Sequence, residues 1–148
     1  MNKQDLNSAM EMLFYGYRLF SAQPDQILAE RKLARVHHRI MYFVASEPGL
    51  SVNRLLSRLG VTKQAVNLPL RQLQESGLLA ATTCEMDRRV KRLSLTAEGQ
   101  KLETLLSGSQ HHLLSQVFSH CGPRAEQGWR EIMAALSELH TVTSSETR

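Results

Sequence analysis

The sequence of 148 residues is poor in the residue types that define several common protein classes. Its two cysteines, Cys84 and Cys121, lie far apart without CxxC spacing, so neither a disulfide framework nor a zinc knuckle is indicated. Aromatic residues make up 5% of the chain, and there are only eight glycines and four prolines. A β-sandwich or β-barrel, which needs many short strands and turns, is therefore not expected.

Long apolar runs are also absent. No stretch approaches the roughly 18 uncharged apolar residues of a membrane-spanning helix. The N-terminus, MNKQDLNSAMEML, lacks the cationic region followed by an apolar run that marks a signal peptide. Together with the sparse cysteines, these absences predict a soluble, cytoplasmic protein in a reducing compartment.

The most informative stretch contains two short amphipathic helical patterns, SVNRLLSRL and TKQAVNLPLRQLQES, joined at Gly60. Ser51 and Thr62 are good N-caps, and each is flanked by apolar residues at the positions of a hydrophobic staple. Gly77 is placed to end the second helix. The small core beneath this turn is expected to contain Leu55, Leu59, Val61, Val66, Leu70 and Leu73.

A polar, basic hairpin follows directly. Residues from Leu78 to about Cys84 and from about Arg89 to Leu95 read as two strands, with Glu85-Met86-Asp87-Arg88 as the turn. Alternation along the second strand places Leu93 and Leu95 inward. A helix pair followed by such a hairpin describes a winged helix-turn-helix, whose usual use is to read duplex DNA.

The charge distribution favours the same interpretation. The net charge is +4, but residues 51–96 hold eight basic and three acidic residues, whereas the rest of the chain holds ten basic and eleven acidic. All of the excess positive charge therefore lies in the predicted winged helix, as expected of a surface that faces phosphates. The alternative is that these cations are solvated charges of short helices.

Amphipathic helices are predicted on both sides of this module. One runs from about Asp5 to Phe20 and is broken before Pro24, and a second runs from about Asp25 to Ser46. Thr96 caps a long helix, and Pro123 starts the last one. Their apolar stripes exceed what a compact winged helix can cover, so we expect them to pack against each other and against a second copy of the chain. A monomeric bundle is the alternative.

At these residues the chain resembles the MarR family of bacterial transcriptional regulators. The resemblance rests on the helix pair LLSRLGVTKQAV, on the segment LRQLQESGLL, and on Asp87-Arg88-Arg89, which lies ten residues after Gly77 and is followed by LSLTAEG. It implies a mainly α fold with a small β-wing, in which N- and C-terminal helices dimerise around a winged helix-turn-helix. The implied segments are 1–30, 31–96 and 97–148, intertwined as one domain.

The resemblance also implies how such a dimer functions. Each recognition helix would enter a major groove, and two half-sites about 34 Å apart would make the operator palindromic. Family members are commonly repressors that are released by a small aromatic or phenolic ligand or by thiol oxidation. The expected location is therefore the cytoplasm, in association with the nucleoid.

Side chains on the predicted helix pair and hairpin have the chemistry to contact DNA. Gln64 and Asn67 can pair with adenine, whereas lysine and arginine prefer guanine or phosphate. At the wing tip, Arg89 can enter a narrow minor groove, with Asp87 accepting from a nearby arginine to fix its direction. The predicted DNA-binding residues are Arg54, Thr62, Lys63, Gln64, Asn67, Arg71, Asp87, Arg88, Arg89 and Lys91.

Two residues of the predicted recognition helix depart from the family pattern. Pro69 lies in the helix interior, where proline costs roughly 3 kcal/mol or kinks the axis. Leu68 stands where family members often have a polar or basic DNA contact. We predict that the helix continues through a kink at Pro69 and that base reading concentrates in residues 62–67.

Outside the DNA-facing surface, histidines and tyrosines suggest an effector site. Adjacent histidines on a helix point about 100° apart and cannot chelate a metal together, so no metal site and no cofactor is predicted. We instead expect an effector in the cleft between the dimer helices and the winged helix. The candidate residues are Tyr15, Arg18, His37, His38, Arg39 and Tyr42.

Two further interpretations stay open at this point. Cys84 is either a small strand residue or a redox-sensitive thiol activated by Arg88 or Arg89. The winged helix could also grip a partner protein rather than DNA, although such a module needs no basic bias. An enzyme is not expected, since the sequence shows no nucleophile–base pair, phosphate loop or set of metal ligands.

Overall fold

A computed structural model describes the fold of residues 2–145 and the side chains of residues 2–139. The chain divides into two compact units, Met1–Gln110 and His111–Arg148. Two antiparallel strands form the β-sheet of the described residues. The elements, in chain order, are α1 (Lys3–Glu30), α2 (Arg35–Ser46), α3 (Val52–Leu59), α4 (Lys63–Glu75), β1 (Leu79–Thr83), β2 (Lys91–Leu95), α5 (Ala97–Cys121) and α6 (Pro123–Ser145).

Helix α1 is longer than the sequence predicts, because it continues through Pro24 rather than breaking before it. Proline has no N–H, so the carbonyl of Phe20 loses its usual helical donor. The side-chain amide of Gln110 donates to this carbonyl instead, with Nε2 and O separated by 3.4 Å. Burial of the Pro24 ring also favours the uninterrupted helix. The predicted break was therefore wrong, and the compensation comes from a residue distant in sequence.

The predicted second helix was also wrong in its first part, because the chain breaks after residue 30 rather than near Asp25. Lys32 adopts a left-handed conformation with φ of 56°. The N–H of Leu33 then donates to the carbonyl of Leu28 at 2.9 Å, which closes the end of α1. Arg35 begins α2 and pairs with Asp25 across the turn at 2.7 Å.

The caps of the helix-turn-helix are those that the sequence predicts. The hydroxyl of Ser51 accepts from the N–H of Arg54 at 3.2 Å, and the hydroxyl of Thr62 accepts from the N–H of Ala65 at 3.4 Å. Gly60 ends α3 with φ of 65°, a left-handed conformation that favours glycine. These local contacts fix the abrupt turn between α3 and α4.

The core beneath this turn agrees with the prediction except at one residue. Val61 is 42% exposed and therefore does not belong to the core. Leu50 and Leu55, the first predicted staple pair, are both buried in it. The buried hydrophobic core of this unit contains Leu28, Ile40, Met41, Val44, Leu50, Leu55, Val66, Leu70, Leu73, Leu79, Leu93, Leu102 and Leu106.

Helix α4 runs without interruption past Pro69. The missing N–H of Pro69 leaves the carbonyl of Ala65 without its helical donor. Packing of the residues around it keeps the helix continuous, since Val66, Leu70 and Leu73 are buried. Continuation through Pro69 is confirmed, whereas a bend in the helix axis stays a prediction.

The wing is a short antiparallel hairpin in which Leu79 pairs with Leu95 and Thr83 pairs with Lys91. Both strands are shorter than predicted, because only one further bond extends the ladder, from the N–H of Cys84 to the carbonyl of Val90 at 2.9 Å, and residues 85–89 form an irregular tip. The segment before α3 adds to the wing, since the N–H of Gly49 donates to the carbonyl of Leu93 at 2.8 Å. This pairing ties the wing to the start of the helix-turn-helix.

The start of α5 packs against the residues that lead into β1. The Thr96 hydroxyl accepts from the N–H of Gly99 at 3.0 Å and donates to the carbonyl of Gly77 at 2.6 Å. A Cβ on Gly99 would lie 1.9 Å from the carbonyl oxygen of Leu78, so only glycine fits. The Thr-Ala-Glu-Gly sequence thus caps α5 and lets it approach β1 closely.

Both units leave large apolar side chains exposed. In the second unit, Phe118 and Trp129 contact each other edge to face with ring centroids 5.3 Å apart.

No helix in the described part of the chain combines the length and apolarity needed to cross a bilayer. The exposed apolar residues of α1 and of the second unit are Leu6, Met10, Met12, Leu13, Phe14, Tyr15, Tyr17, Leu19, Val117, Trp129, Ile132, Leu136 and Leu139.

Candidate nucleic-acid interface

A groove of about 410 Å³ lies between α4 and the wing, with the N-terminal end of α3 at its edge. We call it the α4–wing groove. It brings together side chains from three parts of the chain that the sequence separates by up to 42 residues, from position 51 to position 93. The groove is lined by Ser51, Val52, Asn53, Lys63, Asn67, Leu70, Arg71, Gln74, Ala81, Arg89, Val90, Lys91 and Leu93.

The charge of this groove has one sign. Lys63 and Arg71 come from α4, Arg89 and Lys91 come from the wing, and no acidic residue lines it. Arg71 pairs loosely with Glu75, at 3.7 Å and with both side chains about two-thirds exposed, which contributes little in water. The other three cations form no ion pair with any described residue. The groove therefore attracts anions.

Hydrogen bonds to Asp87 fix the backbone of the wing tip, which carries two arginines. The carboxylate of Asp87 accepts from the backbone N–H of Arg89 at 3.0 Å. The backbone carbonyl of Asp87 accepts from the N–H of Val90, also at 3.0 Å. These two bonds form a tight turn with Arg88 and Arg89 exposed at its corner. Asp87 therefore orients the backbone of Arg89 rather than an arginine side chain, which differs from the expected contact.

The remaining predicted DNA-binding residues lie outside the groove. Thr62 is exposed but serves as the N-cap of α4. Gln64 lies on the outer face of α4. Arg54 contacts the Glu47 carboxylate at 3.4 Å, and the same carboxylate lies 3.9 Å from Arg58. Glu47 thus partly neutralises the charge of Arg54.

Sequence reasoning missed three polar residues of this surface. Asn53 and Gln74 line the groove, and Glu47 pairs with the arginines at its edge. Asn53 lies two residues before the buried Leu55 and therefore on the opposite side of α3, so the apolar spacing of this helix was a signal that could have found it. Gln74 and Glu47 become recognisable only once α4, the wing and α2 are packed together.

The candidate effector residues divide into exposed and buried groups. Tyr15 and Arg18 are exposed on α1, and Arg39 and Tyr42 are exposed on α2. The guanidinium of Arg39 donates to the hydroxyl of Tyr17 at 3.2 Å, which connects α1 and α2. His37 and His38, by contrast, are only 5% and 9% exposed.

His37 connects α2 to the recognition helix. Its Nδ1 accepts from the N–H of Ala34 at 2.9 Å, and its Nε2 lies 2.9 Å from Oε1 of Gln72 on α4. Because a backbone N–H can only donate, Nδ1 must be the acceptor, and the ring proton therefore lies on Nε2. His37 is thus a structural residue that holds the start of α2 against α4.

His38 belongs to a buried polar cluster with Ser107 and Glu103, which we call the His38 cluster. Nε2 of His38 lies 3.3 Å from the Ser107 hydroxyl, and this hydroxyl donates to the Glu103 carboxylate. Burial lowers the pKa of His38 below its ordinary value of 6.5, and Glu103 partly opposes that shift while Arg39 adds to it. At pH 7 the neutral form of His38 is therefore favoured in the folded protein.

Cys84 lies at the base of the wing tip and is partly buried. The backbone N–H groups of Asp87 and Met86 lower the pKa of its thiol, and Arg92 adds a smaller effect in the same direction. Arg92, rather than Arg88 or Arg89, is the arginine that acts on this pKa, and a redox role for Cys84 stays a prediction. Among the described residues, no group of histidine, cysteine and carboxylate side chains could hold a metal ion.

Comparisons with known proteins agree with this geometry. The sequence model of the MarR family matches residues 32–90. The HTH-type transcriptional regulator PetP of Rhodobacter capsulatus is 38% identical over 138 residues, which cover 93% of this chain and 83% of PetP.

Solved structures show the same fold at low sequence identity. FabT of Streptococcus pneumoniae, solved in complex with DNA, has a TM-score of 0.81 at 16% identity and covers 96% of this chain and 99% of its own. NadR, solved in complex with 4-hydroxyphenylacetate, has a TM-score of 0.66 at 22% identity and covers 89% of each chain. With its winged helix and its similarity to PetP, the chain belongs to the MarR family of DNA-binding transcriptional regulators.

Proposed function

We propose that this protein is a homodimeric repressor that binds a palindromic operator through two copies of the α4–wing groove. The observation that carries the proposal is the charge of the groove, in which four cations from α4 and the wing converge and no acidic residue is present. A surface of this kind fits a phosphate backbone, which carries one negative charge per 1.7 Å of duplex, a general value for DNA.

Within this proposal, some residues in and beside the groove contact bases and others contact phosphates. Gln64 and Asn67 read base edges in the major groove, where amide side chains pair with adenine. Arg89 enters the minor groove from the wing tip, in the direction set by Asp87. The side chains that contact phosphates or guanine are Arg54, Thr62, Lys63, Arg71, Arg88 and Lys91.

The exposed apolar residues support the homodimer. Phe14 is 61% exposed and Ile132 is 60% exposed in a single chain, and they belong to continuous apolar faces in their units. Large apolar patches on a soluble protein usually mark an interface. A second copy covers these faces and at the same time supplies the second groove that a palindromic site requires.

We also propose that a small aromatic or phenolic effector releases the DNA. The exposed side chains of Tyr15, Arg18, Arg39 and Tyr42 offer aromatic surface and cations for a ring and an anionic group. NadR, which was solved with 4-hydroxyphenylacetate, gives the ligand class to test first. His37 and His38 would then transmit the effect, because they connect α2 to α4 and α5.

Selection of bound sequences from a random pool of duplex DNA tests the proposal. We expect the wild-type protein to enrich a palindrome with half-sites about one helical turn apart. Sedimentation of the complex should give two protein chains per duplex. A pool that shows no enrichment at low salt would contradict DNA binding, and a monomeric complex on a single half-site would contradict the dimer.

Calorimetry with 4-hydroxyphenylacetate tests the effector. Binding should weaken in Arg39→Ala, whereas Lys101→Ala, which removes an exposed cation paired with Glu98, should leave it unchanged. Equal affinities of both variants for the ligand would remove Arg39 from the proposal.

The alternative function is that of a protein-interaction module. It would be supported if the winged helix binds a partner protein and no duplex.

A further inference from the structure

The recognition helix carries one large apolar side chain on its outer face. Leu68 is 51% exposed, although Val66, Leu70 and Leu73 of the same helix are buried. Successive helical residues are turned by about 100°, so Leu68 lies almost directly opposite the centre of the buried stripe. It is not among the hydrophobic residues that belong to the core or pack against it.

The neighbours of Leu68 on this face are polar. Gln64 lies one turn before it and Arg71 lies three residues after it, and both are exposed. Spacings of four and three residues place the three side chains in one row along the helix. Any surface that Gln64 and Arg71 contact together must therefore also meet Leu68.

Leucine offers this surface neither a donor nor an acceptor. In the major groove each base pair presents a pattern of donors and acceptors, and the 5-methyl group of thymine is the apolar feature. Leu68, between the polar side chains of Gln64 and Arg71, therefore matches the methyl group of a thymine whose neighbours in the groove are polar base edges or phosphates. Water is released from both groups when the leucine covers the methyl group.

We propose that Leu68 is a specificity-determining residue that reads the 5-methyl group of a thymine in each half-site. The inference rests on the proposed function, in which α4 enters the major groove. It adds a second means of discrimination to the hydrogen bonds of Gln64 and Asn67. Leu68 selects thymine over cytosine at this position because cytosine presents an amino donor and no methyl group.

Deoxyuridine substitution tests the contact, since uracil lacks only the methyl group of thymine. Each thymine of one selected half-site is replaced in turn, and the affinity is measured by fluorescence anisotropy. At one position the wild-type protein should lose about fourfold, the effect of one methyl group no longer buried. Leu68→Ala should bind the thymine duplex about fourfold more weakly than wild type and lose nothing further with deoxyuridine.

Arg71→Ala is the matched control on the same helix face. It should bind both duplexes more weakly than wild type and keep the fourfold difference between thymine and deoxyuridine. Because Leu68 is exposed, Leu68→Ala should unfold at the wild-type temperature, which thermal unfolding checks.

The outcomes separate this inference from the proposed function. The contact is overturned if wild type tolerates deoxyuridine at every thymine of the half-site. It is equally overturned if Leu68→Ala retains the fourfold loss, or if the selected half-site contains no thymine. Operator binding itself would stand in all three cases. A wild-type protein that selects no duplex would instead refute the proposed function and this contact with it.

Discussion

The α4–wing groove and the His38 cluster both contain polar side chains, but those of the groove are exposed and those of the cluster are buried. In the groove, Lys63, Arg89 and Lys91 are exposed and form no ion pair with a described residue. In the cluster, the polar groups of His38, Ser107 and Glu103 are buried and bonded to one another.

The comparison indicates that the groove serves to bind a ligand, whereas the cluster contributes to the stability of the fold. Exposed cations cost little to keep in water and remain available for a ligand, whereas buried polar groups are tolerated only when they are satisfied. Substitutions in the groove should therefore change DNA affinity and leave the free energy of unfolding unchanged. Substitutions in the cluster should do the reverse.

The largest effect is expected at Gly99, where α5 approaches the backbone of Leu78 at the start of the wing. In Gly99→Ala the new Cβ would lie 1.9 Å from the Leu78 carbonyl oxygen, so the backbone must move. The free energy of unfolding, measured with urea, should fall by about 3 kcal/mol. Gly108→Ala is the control, since nothing lies near that position, and it should change stability by less than about 1 kcal/mol. Equal stabilities for both variants would disprove the close approach.

Arg89→Ala should weaken DNA binding by about 30-fold, within the range expected for one arginine contact. Because the side chain is exposed and has no ion pair, the free energy of unfolding should not change. Affinity for the selected duplex and urea unfolding are the two measurements. Lys101→Ala, which removes an exposed cation outside the groove, should bind as wild type does. Similar losses in both variants would mean that the groove has no special role.

Ser107→Ala should have the opposite profile. It removes the hydroxyl that joins His38 to Glu103 and leaves both groups buried without this partner. The free energy of unfolding should fall by about 1–3 kcal/mol, while DNA affinity at temperatures where the protein is folded stays within about twofold. Ser109→Ala, a half-buried serine bonded to the Leu106 carbonyl, is the control and should cost less. A change in affinity without a change in stability would contradict the distinction between the two regions.

The pH dependence of stability should report His38. Its pKa is lower in the folded protein than the ordinary 6.5, so the unfolded chain binds the proton more tightly. The free energy of unfolding should therefore decrease as the pH falls through 6.5 and level off below the folded pKa. Urea unfolding from pH 8 to pH 5 measures this slope. His38→Asn should flatten it, whereas His120→Gln, at an exposed position, should not.

The smallest effect is expected at the edge of the groove. Glu47→Gln removes the carboxylate that pairs with Arg54 and Arg58, which frees both cations for phosphates. Affinity for DNA should rise by about twofold to fivefold and its salt dependence should become steeper, in keeping with the modest energy of exposed ion pairs. Glu98→Gln, which releases Lys101 outside the groove, should leave affinity unchanged. An unaltered affinity in Glu47→Gln would mean that Arg54 does not contact DNA.

Features that depend on neighbouring residues were predictable from the sequence. The N-caps Ser51 and Thr62, the left-handed Gly60 and the capping of α5 by Thr96 each involve contacts within four residues. The winged helix was predictable for the same reason, since its turns and its apolar spacing are local signals. These signals locate the recognition helix and the wing, and hence most cations of the groove.

Features that depend on distant residues were not predictable. Pro24 remains inside α1 because Gln110 supplies a donor to the carbonyl that proline leaves unbonded. Gln74 lines the α4–wing groove and Glu47 lies at its edge only through the packing of α2, α4 and the wing. His37 and His38 looked like effector ligands by residue type, yet each is bonded to a side chain more than 30 positions away.

The salt dependence of DNA binding tests the central claim most directly. The claim is that two copies of the chain present their α4–wing grooves to one duplex. Between 50 and 200 mM salt the affinity for the selected palindrome should fall by about ten thousandfold, the loss expected for roughly eight neutralised phosphates, four for each of the two chains on the duplex. An affinity that is independent of salt, or a protein that binds no duplex at 50 mM salt, would contradict it.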